Sequence, residues 1–152
     1  MTQVKLNEKA LHKLIAESIV KILKEERSED VDNKIIDLIS FLHNAQKPVR
    51  EIHWNTDKYA LHMVTDESID ELCSWEDSLA ETFISGKDIK LLINETKPSS
   101  NEDYKSILAE LCDMASDIRS LISDKSAYNN INAIIDEILE KSKQLLYKGE
   151  LK

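Results

Sequence analysis

The stretch HWNTDKYALHMVTD, residues 53–66, holds His53, Asp57, His62 and Asp66, and Asp77 and Glu81 follow on the same segment. Imidazole nitrogens mixed with carboxylate oxygens are the donor set of a transition-metal site, and the mixture suits Fe(II) with open coordination positions, zinc being its competitor. On a helix turning about 100° and rising about 1.5 Å per residue, with His62 set at zero, Asp66 falls at about 40°, Asp77 at about 60° and Glu81 at about 100°. All four share one side. Cys73, Ala80 and Ile84 lie in the same sector. The pattern therefore places the acids on the shoulder of the buried face and leaves Glu67, Glu71 and Ser78 to solvent. Carboxylates on such a shoulder need a cation or a donor, since burying them alone is costly.

His62 and Asp66 are one turn apart, and so are Asp77 and Glu81, but about 16 Å of helix axis separates the two pairs. One chain does not close the site. Two copies of the helix packed antiparallel about a two-fold axis would bring each His62–Asp66 pair to the other copy's Asp77–Glu81 pair, giving two symmetric sites. His53, at the end of the preceding helix, would add a nitrogen. Either pair alone arises by chance on charged helices; two in register, with His-Trp just upstream, form a far more specific pattern. The remaining candidates read as ordinary structure: His43 as a core or interface residue, His12 as surface, and Trp75 as packing. The acids Asp113, Asp117, Asp136, Glu137 and Glu140 read as solvated faces.

Five helical segments must position these residues. The first runs from about Glu8 to Glu26 behind an Asn7 cap, with Leu11, Leu14, Ile15, Ile19 and Ile22 on one face. A second carries Ile35, Ile36, Leu38, Ile39, Phe41 and Leu42 towards Trp54, with Pro48 expected to kink or break it. The third starts near Asn55 to Asp57, capped by Thr56 or Asp57, and runs to about Ser85 ahead of Gly86. The crossover KDIKLLINETKPSSN follows. Ser99 and Ser100 then form a capping-box arrangement with Glu102 and Asp103 that opens a fourth helix to about Lys125. Asn129 or Asn130 caps a fifth that ends near Gly149.

The chain has 152 residues, 41% hydrophobic and 32% charged, with only two glycines and two prolines, which suits an all-helical domain better than a many-stranded one. Residues 1–30 read as an amphipathic helix and linker. Residues 31–149 read as a four-helix bundle with a long crossover, a ferritin-like layout. Cys73 and Cys112, far from any CxxC spacing, read as small buried hydrophobes in a reducing compartment. No apolar run has membrane-spanning length, and the N-terminus lacks a signal peptide's apolar core, so a soluble, cytoplasmic protein is expected. A net charge of −9 weighs against nucleic-acid binding, and the locally positive tail from Lys141 to Lys152 makes at most a weak contact with DNA.

His-Trp at 53–54, Ala-Leu-His at 60–62, Asp66, Asp77 and Ala-Glu at 80–81 resemble the motif of the Dps family, the small-cage branch of the ferritin-like proteins. The motif covers roughly residues 50–85, and the helical layout extends the likeness to about 31–149. The resemblance implies that His53, His62 and Asp66 of one chain bind iron together with Asp77 and Glu81 of a two-fold mate. Trp54 would be the aromatic at the catalytic centre. It further implies a ferroxidase that oxidises Fe(II) to Fe(III), with hydrogen peroxide as oxidant. Its dimers would build a homododecameric cage for iron storage under oxidative stress. The His53–His62 connection is a few residues shorter than is usual in that family, and no lysine-rich DNA-coating tail is present.

The alternative is a non-catalytic helical assembly, or a phage structural or cargo protein, with a vestigial site and a virion-associated location. In that reading the first helix, similar to short helices at the ends of various phage-encoded proteins, docks onto a partner.

Overall fold

The apolar periodicity of the second segment produces a 27-residue helix, α2, Glu29–Asn55. Its Ile35, Leu38, Leu42, Ala45 and Val49 form one fully buried stripe. A computed structural model describes residues 7–25, 28–85, 87–95 and 103–151, the side chains of 22–25 excepted. Before α2 comes α1, Glu8–Glu25; after it come α3, Tyr59–Ile84, α4, Tyr104–Ile122, and α5, Asn129–Gly149, which a short 3-10 turn, Ser126–Tyr128, precedes. No strand occurs among the described residues. The protein is all-α.

Pairwise contacts give the helices their directions. The end of α2 meets the start of α3 through His53 and His62. Lys87, just past α3, reaches back to Asp32 at the start of α2 (3.4 Å). Lys34, early in α2, pairs with Asp117, late in α4 (2.8 Å). Lys148, at the end of α5, pairs with Glu67, early in α3 (2.9 Å). α2 and α5 therefore run one way, α3 and α4 the other. Each helix packs against two antiparallel neighbours: α2 on α3 and α4, α5 on α3 and α4.

Because α3 and α4 are parallel, their connection must travel back along the length of the helices. Its first half does so beside α2. Asn94 donates its main-chain N–H to Ser40 Oγ (3.0 Å) and accepts at its carbonyl from Asn44 Nδ2 (2.9 Å). Leu91 packs on the core, whereas Ile89, Leu92 and Ile93 stay exposed. The crossover is anchored by hydrogen bonds as much as by its apolar cluster.

The expected interruption at Pro48 does not break α2, which runs through it with the ring buried. The missing N–H costs one helical bond, and the buried stripe on both sides of the turn holds the helix together. Helix starts differ from the expected caps as well. Asn7 does cap α1, accepting from Ala10 N at 2.8 Å. α3 begins only at Tyr59, and Thr56 Oγ1 accepts instead from Lys58 N (3.2 Å), closing a local turn in the corner. Asp103 caps α4, accepting from Lys105 N (3.0 Å) and Ser106 Oγ (2.9 Å); the Ser99–Ser100 arrangement and Gly86 lie outside the described residues. Neither Asn129 nor Asn130 caps α5, because the 3-10 turn feeds the helix directly. It also draws Tyr128 into the core, where its hydroxyl donates to Asp32 Oδ1 (2.9 Å).

Among its described side chains, α1 contributes nothing to the buried core. Its Leu11, Leu14, Ile15 and Ile19 are about half exposed, between 46% and 52%.

Candidate metal centre at the α2–α3 corner

Three residues, 56–58, turn the chain from α2 into α3. This tight corner stacks His53 on His62, ring centroids 4.0 Å apart and planes 20° from parallel. Each ring then reaches the other's main chain: His53 Nδ1 lies 2.9 Å from the His62 carbonyl, and His62 Nδ1 lies 3.0 Å from the His53 carbonyl. A carbonyl only accepts, so both Nδ1 atoms carry a proton, and the neutral form of each ring has its lone pair on Nε2. Thr65, buried below, donates to the Leu61 carbonyl (2.7 Å) and sits 3.2 Å from His53 Nδ1. A fixed Nδ1–H tautomer is the state in which a histidine offers Nε2 to a metal.

Asp66 stands one turn beyond His62, and Asp77 and Glu81 follow on the same face of α3. All three are exposed, as is His62, while His53 is half-buried. Among the described residues none of the three acidic side chains makes a hydrogen bond or an ion pair. The shoulder placement expected from the sequence is corrected here. The buried positions of α3 are Val64, Thr65, Ser68, Ile69, Leu72, Trp75, Leu79 and Phe83, and on the same wheel they fall between about 200° and 340°, on the side away from the acids. Cys73 and Ile84, expected to be buried with them, are exposed. Cys112 is half-buried, and that burial pushes its thiol pKa up.

Glu67 and Glu71, expected in solvent, line the seam with α5. Lys141 Nζ lies 3.0 Å from Glu67 and 3.4 Å from Glu71, and Lys148 lies 2.9 Å from Glu67. Hydrogen bonds from Lys148 and then Lys141 hold the Glu67 carboxyl below its ordinary range. The periodicity gave the angles correctly but not which side faced the neighbours.

Within one chain, no group of three His, Cys, Asp or Glu side chains among the described residues is close enough to hold a metal ion. The corner pair and the Asp77–Glu81 pair remain apart, as the axial spacing requires. Trp54 is 70% exposed beside the corner. It ends a shallow groove of about 370 Å³ along α2, lined by His43, Gln46, Lys47, Arg50, Glu51 and Trp54. His43 is neither core nor free: its Nδ1 lies 2.6 Å from Glu76 on α3. Gln46 joins the same carboxylate and accepts from Cys73 Sγ at 3.2 Å. No local spacing announces a pair 33 residues apart.

Residues 53–148 match a family of unknown function (DUF5856). The chain belongs to this family. The matched stretch opens at His53 and takes in Trp54, His62, Asp66, Asp77 and Glu81, whereas α1 and most of α2 precede it. No curated protein and no solved structure matches the chain.

Proposed function

We infer that the chain is a Dps-like iron-handling protein, a ferroxidase whose site two copies complete between them. The observation that carries this reading is the stacked His53–His62 pair, both rings tied through Nδ1 so that Nε2 is on offer, one turn from an Asp66 whose side chain has no partner among the described residues. The order of helix directions, with parallel α3 and α4 joined by a crossover along the bundle, is what a ferritin-like bundle would require and supports the reading.

In this reading His53, His62 and Asp66 hold Fe(II) as substrate from one side, and Asp77 and Glu81 of the second copy close the site. The donor set fits: imidazoles that offer Nε2, and carboxylates whose side chains pair with no cation among the described residues of one chain. Two Fe(II) ions give up one electron each while hydrogen peroxide takes up both with two protons and leaves as water. Trp54 stands beside the site as the aromatic neighbour. The excess of acids over bases, 29 to 20, would draw cations to a dodecameric shell and favour ferric mineral on its carboxylates. The setting would be the cytoplasm. No helix among the described residues is long and apolar enough to cross a membrane.

The exposed apolar face of α1 favours a second reading, a helical assembly or phage cargo protein with a vestigial site. Adding Fe(II) and peroxide under anaerobic conditions and following ferric absorbance separates the two. Saturable oxidation that Asp66→Ala or Glu81→Ala weakens supports the ferroxidase; identical traces for wild type and variants remove it.

A further inference from the structure

The outer face of α3 has exposed positions spaced symmetrically about the middle of the helix. About a midpoint between Glu71 and Leu72, Tyr59 pairs with Ile84, His62 with Glu81, Asp66 with Asp77, and Asp70 with Cys73. All eight are exposed. Apolar side chains occupy both ends, with Tyr59 78% and Ile84 36% exposed, and four acids, Asp66, Asp70, Asp77 and Glu81, lie between them with His62 and Cys73. A helix laid antiparallel on a copy of itself would match its ends but oppose its acids. The cations that answer this charge lie next door on α2.

The contacts of His43 with Glu76 and of His53 with His62 fix the height of each α2 residue along α3. Lys47 is level with the midpoint, and Arg50 lies one turn towards the start of α3. Turned about the two-fold, Arg50 of one copy comes level with the turn before Asp77 of the other, and Lys47 meets the Asp70–Cys73 level. The Arg50 side chain makes no hydrogen bond or ion pair among the described residues, and neither do the side chains of Asp70, Asp77 and Glu81. Lys47 is 83% exposed, with only Glu51 at 3.8 Å.

We propose that this cationic stripe of α2, Lys47 and Arg50, is the counter-surface for the acidic stripe of α3 in a second copy, so that the α2–α3 face is a self-complementary, charge-matched interface with its axis beside Cys73. Opposite charges set the register, which isologous contacts then repeat twice. The inference rests on the proposal that two copies share the site. It adds that pairing needs no metal and that α2 supplies it.

Association is measured on the full chain in excess chelator by light scattering across salt concentration. A thiol–thiol crosslinker of short reach is then applied, since the two Cys73 residues sit about 4.5 Å apart along the paired axes. The expected results are a dimer or a multiple of it that weakens with salt, and a covalent dimer that forms through Cys73, survives Cys112→Ser and disappears with Cys73→Ser. Lys47→Glu with Arg50→Glu should loosen association by about tenfold or more. Mixing that variant with Asp70→Lys/Asp77→Lys chains should restore it, because unlike pairs then attract. A monomer at every concentration, or association without the Cys73 crosslink, overturns the proposal. The crosslink is read on chains whose α2 and α3 charges are unaltered, so misfolding of a charge variant does not blunt the test. Chelator-proof dimers that fail to oxidise iron would leave this interface standing and remove the ferroxidase.

Discussion

His53 and His62 stack at 4.0 Å, and each ring donates its Nδ1–H to the other's main-chain carbonyl. The pair is thus a clasp across the α2–α3 corner as well as a candidate ligand set. The two roles make separable demands.

As a clasp, the pair should show coupling in a double-mutant cycle. His53→Ala and His62→Ala should each lower stability by about 1 kcal/mol, and the double variant should cost less than their sum, because the second change removes an interaction already lost. Urea unfolding of the four proteins measures this. Strict additivity would mean that the stack contributes nothing. As ligands, either single change should lower peroxide-driven Fe(II) oxidation by about tenfold or more in stopped-flow traces.

The Glu67–Lys141–Lys148 cluster links α3 to α5, and its pH dependence has a defined sign. Glu67 is held below 4.5 in the folded chain, so its contribution is complete above that value and is lost as pH falls through the depressed pKa. Lys141 is raised above 10.5, so its contribution is complete below that value and is lost as pH climbs through the raised one. Glu67→Gln should therefore lower the melting temperature at neutral pH, by less than about 1 kcal/mol equivalent because the groups are partly exposed and screened. The gap between variant and wild type should close in acid. A gap that widens with falling pH would refute the assignment.

Gly149 ends α5 against Tyr104, and a Cβ there would stand 2.8 Å from Tyr104 Cε1. The ring has little room to yield. It is buried, and its hydroxyl hydrogen-bonds with Ser68 Oγ (2.8 Å) and donates to the Leu145 carbonyl. Burial also pushes the phenol pKa up to about 12. Gly149→Ala should destabilise by about 1–3 kcal/mol, as overpacking does. Calorimetry of the variant should show a lower melting temperature with unchanged helical circular dichroism.

Asp103 caps α4, accepting from Lys105 N and Ser106 Oγ. Asp103→Ala should cost about 0.5–2 kcal/mol, and Asp103→Asn much less, since the amide oxygen still accepts from the main chain. Equal losses for the two would point to charge, not capping, as the contribution.

Sequence by itself determined the helices, because helical periodicity is a local property: α1 and its Asn7 cap, the end of α5 at Gly149 and the apolar stripe of α2 are all written in residue spacing. It also grouped His62, Asp66, Asp77 and Glu81 on one side of α3, since the angle between residues of one helix needs no knowledge of its neighbours. Which way that side faces was settled only when α2 and α5 flanked α3. Their packing sent Leu72 and Leu79 inward, turned Glu67 and Glu71 to the lysines of α5, and left Asp66, Asp77, Glu81 and Cys73 outside. Tertiary packing likewise carried α2 through Pro48, where local chemistry forecast a kink or a break. It closed the corner with Thr56 in a turn, and it paired His43 with Glu76 across 33 residues. Such contacts depend on distances through space that no spacing along the chain encodes.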